Sequence, residues 1–126
     1  FIHMILAGVG SRTIPKEDHQ KAYDLIMGVI QKFQPLQIVS GGAKGIDTMV
    51  ILSAVAHGYL YVENLFVMEP VQRQWQPFGF KERNIKIVDK CTHLLCIQSY
   101  KSNSYGSGWT ADYASREGKI VWRFII

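Results

Sequence analysis

The stretch Ile38-Val39-Ser40-Gly41-Gly42-Ala43-Lys44-Gly45-Ile46-Asp47 decides the fold of this chain. It predicts a short apolar strand that ends in two glycines and continues into a helix with Asp47 in its first turn. Glycines at such a junction remove the Cβ atoms that would keep a ligand away from the backbone. The first N–H groups of the helix have no partner within it and lie at the positive end of its dipole. The stretch therefore predicts an anion site, most often for a phosphate; the alternative is a tight strand-to-helix turn without a ligand.

Length and composition indicate one folded domain over residues 1–126. The chain is 48% hydrophobic and 19% charged, which is typical of a globular protein and not of a disordered one. No apolar run approaches the ~20 residues that cross a membrane, so we expect no membrane partner. The sequence before and after Met4 does not resemble a secretory signal. We expect a cytoplasmic protein whose natural start is Met4, with residues 1–3 left over from expression.

The cysteine, histidine and serine residues do not indicate a metal centre or a serine nucleophile. Cys91 and Cys96 are too few for a disulfide framework, and on one strand they would point to opposite faces as reduced core residues. His57 and His93 have no partner at a metal-ligand spacing, so we expect no metal and no cofactor. The serines of the glycine-rich loops lack a recognisable His–Asp arrangement.

The net charge of +4 permits an anionic ligand but does not identify one. Lysines and arginines are scattered along the chain, whereas a dedicated duplex-DNA binder usually carries a basic stripe.

Apolar strands alternate with amphipathic segments along the whole chain. The predicted strands are Ile2–Ala7, Gln37–Ser40, Asn64–Met68, Thr92–Ile97 and Lys119–Ile125. The predicted helices run from Pro15 to before Pro35, from Ile46 to His57, from about Lys81 to Asp89 and from Trp109 to Glu117, with loops over 71–80 and 99–108. This order predicts an α/β fold, a Rossmann-like three-layer sandwich with a mainly parallel sheet of about five strands.

Three glycine-containing loops follow predicted strands, at 8–12, 41–45 and 106–108. Ligands of such sheets bind beyond the carboxyl ends of the strands. Because the three loops meet at that one edge, a ligand site there is favoured over an empty turn.

The motifs together resemble the Smf/DprA–LOG (SLOG) superfamily of Rossmann-like nucleotide-binding domains. The resemblance rests on Gly10-Ser11-Arg12, the 40–47 stretch, Arg83-Asn84 and Gly108-Trp109-Thr110, and it covers the chain from Ile5 to Val121. Small stand-alone YspA-like members are the most similar. The superfamily includes a DNA-processing protein, phosphoribohydrolases and sensors of nucleotide-derived signals.

The resemblance implies a role for each motif in binding a nucleotide. Arg12 would contact phosphate or ribose through its planar two-donor fork, and the glycine loop would admit the phosphate with Asp47 beside it. Arg83 would face the same pocket, and Thr110 would offer hydroxyl and backbone N–H groups. The predicted ligand-binding residues are Gly10, Ser11, Arg12, Ser40, Gly41, Gly42, Lys44, Gly45, Asp47, Arg83, Asn84, Gly108, Trp109 and Thr110.

One departure from the superfamily weighs against catalysis. Phosphoribohydrolases carry a Gly-Gly-x-Gly-Thr-x-x-Glu motif, and alignment on Thr110 places Tyr113 at the glutamate position. Tyrosine cannot supply that negative charge at neutral pH. An N-glycosidase would have to use Asp47, Asp112 or Glu117 instead, so the chain is interpreted as a binder before an enzyme.

Each candidate also has an explanation without a ligand. Asp47 could serve only the helix dipole, and Arg83 could pair with a surface acid. Trp75, Phe78 and Trp109 are candidates to stack on a base, although aromatic residues more often fill a core or dimer contact.

The sequence therefore predicts a domain that binds a nucleotide or nucleotide-derived small molecule, as a sensor or sequestering protein in bacterial or phage signalling. Two alternatives remain open: a LOG-type nucleotide N-glycosidase and a DprA-like binder of single-stranded DNA. A homodimer or higher homo-oligomer is expected from the resemblance alone.

Overall fold

The computed structural model describes residues 3–70, 78–102 and 105–126, with the side chains of 78–80 and 105 left aside. The strands are β1 Ile5–Gly10, β2 Gln37–Ser40, β3 Leu65–Val67, β4 His93–Gln98 and β5 Ile120–Ile125. The helices are α1 His19–Phe33, α2 Ile46–Ala56, α3 Phe78–Lys90 and α4 Tyr105–Arg116, with a short 3-10 turn at Lys16–Asp18 before α1.

The strands form one parallel sheet in the order β3-β2-β1-β4-β5. The central strand β1 has neighbours on both sides, with Ala7 beside Val39 of β2 and beside Leu94 of β4. The chain thus adds β2 and β3 on one side of β1 and then β4 and β5 on the other. In a sheet of this kind the crevice at the carboxyl ends, where the strand order reverses, is the usual ligand site. The predicted Rossmann-like α/β fold is confirmed.

Alternating side chains of the strands bury two separate apolar layers. Leu6, Ile38 and Leu95 pack with α1 and α2 on one face, whereas Ala7 and Val39 belong to the layer under α3 and α4 on the other. Both faces are covered, as parallel sheets require.

Several predicted element bounds are wrong. Strand β1 runs from Ile5 to Gly10 instead of Ile2–Ala7, so Gly8 and Gly10 lie in the strand and not in a loop, and α1 begins at His19 instead of Pro15. Helix α3 begins at Phe78 instead of Lys81, and α4 begins at Tyr105 instead of Trp109. Gly106, Ser107 and Gly108 therefore lie in the first turn of α4 and not in a loop; the poor helix propensity of glycine and serine is overridden there by the contacts of α4 with the sheet.

Cys91 follows α3 instead of lying on β4, and it is buried in the same apolar layer as Cys96. Both are free cysteines, and burial raises the pKa of each thiol to about 11. Such buried thiols are poor nucleophiles at neutral pH.

Within the described ranges, no helix combines the length and apolar character needed to cross a membrane.

Candidate functional site

A small cavity of about 70 Å³ lies where the ends of β1 and β2 meet the first turns of α2 and α4. Its lining residues come from four separate parts of the chain: Val9, Gly10, Arg12, Ala43, Asp47, Arg83, Asn84, Gly106, Ser107 and Thr110. Six of these were predicted as ligand-binding residues, namely Gly10, Arg12, Asp47, Arg83, Asn84 and Thr110. The fold thus brings together motifs that are far apart in sequence.

Asp47 places a carboxylate in the wall of this cavity. The residue is only 6% exposed, and its Oδ2 accepts a hydrogen bond from the Ala43 N–H at 3.2 Å. The Ser40 hydroxyl donates to the Asp47 carbonyl oxygen at 3.0 Å, which ties β2 to the first turn of α2. Burial raises the pKa of Asp47 to about 6, against the opposing effects of the Ala43 N–H, Arg83 and Arg12.

Arg83, on α3, places a buried guanidinium in the wall of the cavity, which also contains Arg12. Its Nη1 donates to the Gly41 carbonyl oxygen at 2.6 Å, and its Nε donates to Asn84 Oδ1 at 2.8 Å. Burial lowers the pKa of Arg83, while Asp47 raises it. The guanidinium remains charged, because arginine does not lose its proton in proteins.

Glycine at position 41 allows Arg83 and Asp47 to converge. A Cβ there would lie 2.5 Å from Arg83 Nη1 and 2.7 Å from Asp47 Oδ2. Any side chain at position 41 would therefore collide with both groups. The absence of a Cβ leaves room for the Arg83 guanidinium and the Asp47 carboxylate to approach each other.

Gly45 allows a second close approach, between α2 and the loop after β1. It is the N-cap residue of α2 with φ 77°, and a Cβ would lie 2.3 Å from the Ser11 carbonyl oxygen. The Ile46 N–H donates to the same carbonyl at 3.1 Å. Gly45 thus fixes Arg12 beside the first turn of α2.

Ser11 and Ser40 serve the scaffold of the site in this structure. Both are fully buried. Ser11 Oγ accepts the Ser99 N–H at 2.8 Å, so it joins the end of β1 to the end of β4. Neither residue lines the cavity.

The first turn of α4 closes the cavity from the side of β4. Thr110 is buried, and its hydroxyl donates to the Gly106 carbonyl oxygen at 2.7 Å. The Gln98 amide donates to the Ser107 hydroxyl at 3.3 Å and holds this turn against β4. Gly108 packs beside Gln98 and Arg123, where a Cβ would lie 3.3 Å and 3.0 Å from their nitrogen atoms.

A wider groove of about 410 Å³ adjoins the cavity and shares Arg12 with it. Predicted residues Lys44 and Gly45 line this groove and not the cavity. The remaining lining residues are Thr13, Ile14, His19, Tyr23, Thr48 and Met49.

Several residues predicted to bind a ligand or to catalyse line neither the cavity nor the groove. Trp109 stacks on Tyr113 with ring centroids 5.3 Å apart, and Lys81 lies over its ring at 5.4 Å. Asp112 pairs with Arg123 at 3.1 Å, and neither it nor the exposed Glu117 lines the cavity. Gly42 is exposed at the loop. Trp75 and the side chain of Phe78 lie outside the described residues.

Sequence reasoning missed part of both surfaces. In the cavity these are Val9, Ala43, Gly106 and Ser107; in the groove they are Thr13, Ile14, His19, Tyr23, Thr48 and Met49. Ala43 lies within the 40–47 motif, and the other cavity residues lie in the predicted loops 8–12 and 106–108, although none was named individually. Thr13 and Thr48 flank recognised motifs, which was an available signal. His19 and Tyr23 belong to an ordinary amphipathic helix, and only the fold brings them to this edge.

The charges of the cavity suit an anion. Arg12, Arg83 and the first turns of α2 and α4, which are the positive ends of the helix dipoles, surround a space that, among the described lining residues, holds one carboxylate. Among the described residues there is no cluster of His, Cys, Asp and Glu that could hold a metal ion.

Comparison with known proteins places the chain in one group. The family model of DNA recombination-mediator protein A matches residues 2–65. DNA processing protein A (DprA) from Streptococcus pneumoniae is 24% identical, with a TM-score of 0.74 over 97% of this chain and 50% of that one. The Helicobacter pylori protein of the same name, described for its single-stranded DNA binding mode, is 17% identical, with a TM-score of 0.63 over 95% of this chain and 64% of that one. No curated protein sequence matches significantly.

The chain therefore spans about half the length of the Streptococcus pneumoniae protein. The two structural matches support the fold and, at these identities, no more. The family model covers half of the chain, and it includes both the Gly10-Ser11-Arg12 loop and the 40–47 stretch. On this evidence, and in agreement with the resemblance to the SLOG superfamily, the chain belongs to the DNA recombination-mediator protein A family.

Proposed function

We propose that this chain binds single-stranded DNA and holds one backbone phosphate in the cavity between Arg12, Asp47 and Arg83. The size of that cavity carries the proposal. Its 70 Å³ have room for about five water-sized groups, which suits a phosphate group but not a base with its sugar. The rest of a bound nucleotide must lie outside the cavity.

The adjoining groove supplies a path for that remainder. It is several times larger than the cavity, shares Arg12 with it and adds the Lys44 ammonium and the Tyr23 ring. Cationic side chains that follow a backbone, with aromatic faces for bases, are the usual elements of a single-strand binding surface. A continuous strand would use both spaces, with Arg12 between them.

Family membership supports the same polymer ligand. The Helicobacter pylori relative is described as a single-stranded DNA binder, and it shares the fold over nearly all of this chain. The matched residues 2–65 contribute Arg12, Lys44 and Asp47 to the two surfaces.

A free nucleotide or nucleotide-derived signal is the second candidate. It is favoured by Arg83, which is 6% exposed and pairs with the Gly41 carbonyl in the interior of the site. A terminal phosphate reaches such a buried guanidinium more readily than a phosphate within a strand.

The test is fluorescence anisotropy with labelled oligothymidylates of increasing length, each titrated at several salt concentrations. We expect affinity to rise with length until the surface is covered. We also expect the logarithm of the binding constant to fall with the logarithm of salt concentration, by about 0.7 for each phosphate contacted. Arg12→Ala should weaken binding and reduce this slope.

Arg116→Ala is the matched control, because Arg116 is an exposed arginine at the opposite end of α4. It should leave both affinity and slope unchanged. Thymidine monophosphate that competes fully, with the same affinity as a long oligothymidylate, would favour the free nucleotide instead.

A further inference from the structure

Asp47 is a carboxylate in a cavity that is otherwise arranged for anions. It is 6% exposed, and among the described residues its carboxylate accepts a single hydrogen bond, from the Ala43 N–H. A phosphate in the cavity, which Asp47 helps to line, would lie beside it. Two negative charges in contact, away from bulk water, are strongly unfavourable.

Building on the proposed function, we propose that Asp47 takes up one proton from solvent when a phosphate enters the cavity, and then donates a hydrogen bond to it. The proton goes to Asp47 because a phosphodiester stays ionised throughout the physiological pH range. A neutral carboxyl group is a hydrogen-bond donor, so the same side chain changes from a repulsive to an attractive contact. Asp47 is thereby a specificity residue for a bound phosphate.

Burial favours this proton uptake, whereas the two arginines that face Asp47 oppose it. Arg12 faces Asp47 from the loop after β1 and Arg83 faces it from α3, whereas α4 contributes the uncharged Ser107 and Thr110. In the free protein the pKa of Asp47 is already raised to about 6 by burial. A phosphate anion raises it further, so at neutral pH the free protein is mostly ionised at this position and the complex mostly protonated.

The consequence is a pH-dependent affinity with a defined sign. Above about pH 6 the dissociation constant for an oligothymidylate should increase with pH, by up to about tenfold per pH unit. Titration calorimetry at about pH 7.5 in buffers of different ionisation enthalpy should show an uptake approaching one proton per phosphate site.

Two variants test whether Asp47 is the group that takes up the proton. Asp47→Asn should bind with an affinity that is nearly independent of pH and without proton uptake. Asp112→Asn is the matched control, because Asp112 pairs with Arg123 and lines neither the cavity nor the groove. It should keep both the pH dependence and the proton uptake of the unmodified protein.

The outcomes distinguish this inference from the proposed function. Binding that is independent of pH and releases or takes up no proton overturns the role of Asp47, while DNA binding itself stands. A pH dependence that disappears in Asp112→Asn and persists in Asp47→Asn also overturns it. Absence of oligothymidylate binding at every pH refutes the proposed function.

If Asp47→Asn does not fold, the carboxyl ¹³C shift of Asp47 in the unmodified protein decides the question. At about pH 7.5 it should be that of an ionised group in the free protein and of a protonated group in the complex. An ionised Asp47 in the complex refutes the inference.

Discussion

The burial of Asp47 reduces the stability of the folded protein at neutral pH. Desolvation raises the pKa of the Asp47 carboxyl to about 6, well above its value in an unfolded chain. The folded protein therefore binds more protons than the unfolded one between about pH 4 and pH 6. Stability contributed at this position is lost as pH rises through that window, and above it the ionised carboxylate costs free energy.

Asp47→Asn should accordingly stabilise the free protein at neutral pH. Because asparagine resembles the uncharged acid, we expect the free energy of unfolding at pH 7 to rise by up to about 3 kcal/mol. At about pH 2.5 the difference should approach zero, since the carboxyl is then protonated in both the folded and the unfolded state. Urea unfolding of both proteins at the two pH values measures the effect, and an equal difference at both would contradict the raised pKa.

Gly45 offers a second test at the scale of one residue, with a control glycine that also has a positive φ. Gly45 and Gly58 have φ of 77° and 86°, but only at Gly45 would a Cβ meet backbone atoms, with the Ser11 carbonyl oxygen 2.3 Å away. Gly58→Ala should cost only the backbone strain, about 1–2 kcal/mol. Gly45→Ala should cost more than this in thermal or urea unfolding and should also weaken DNA binding. Equal costs for the two variants would show that α2 does not need its close approach to the loop after β1.

At the scale of elements, the ends of β1 and β4 are joined by a side chain that was predicted to touch the ligand. Ser11 Oγ accepts the buried Ser99 N–H at 2.8 Å and does not line the cavity. Ser11→Ala would leave that N–H without its partner, at a cost of about 1–3 kcal/mol in unfolding free energy. Direct phosphate contact is not expected, so at a temperature where the variant is folded its DNA affinity should stay close to normal. A large loss of affinity in a fully folded Ser11→Ala protein would restore the ligand role.

The elements also show how far sequence reasoning extends. The stretch at 38–47 predicted β2, the turn and α2 correctly, because apolar strand residues, glycines and a helix start all occur within ten positions. The start of α4 was missed, because Gly106, Ser107 and Gly108 have the composition of a loop. Their helical conformation depends on tertiary contacts with β1, β4 and β5, which local composition does not show.

The candidate site, too, could be predicted only where the signal is local in sequence. Arg12 and Asp47 could be named from motifs, since charged residues beside strand-end glycines are a local signal. Arg83 could be named only through the resemblance to the SLOG superfamily. The different roles of the nearby serines could not be predicted. Ser11 and Ser40 are buried and stabilise the scaffold, whereas Ser107 lines the cavity. Which of several nearby hydroxyl groups meets the ligand depends on side-chain direction, and that is set by tertiary packing.

At the scale of the whole molecule, two openings lie at opposite edges of the sheet. A groove of about 510 Å³ at the amino ends of β2 and β3 is larger than the phosphate cavity at the carboxyl ends. Its lining includes Gln34, His57 and Tyr59, and it lies at the carboxyl-terminal end of α2, where the helix dipole disfavours an anion. Charge, and not volume, is therefore the reason that we propose the carboxyl edge for DNA.

Hydrogen exchange with and without an oligothymidylate tests that selection across the molecule. We expect slower exchange in the complex for amides around Ala43 and Ser107, because DNA would cover the first turns of α2 and α4 and oppose their opening. Amides around His57 and Tyr59 should exchange at the same rate in both states. Protection confined to the amino edge would place the DNA in the larger groove and contradict the phosphate site. Protection at both edges would indicate that binding stabilises the whole fold, and repeating the measurement with Arg12→Ala would then show whether the carboxyl edge is the origin of that effect.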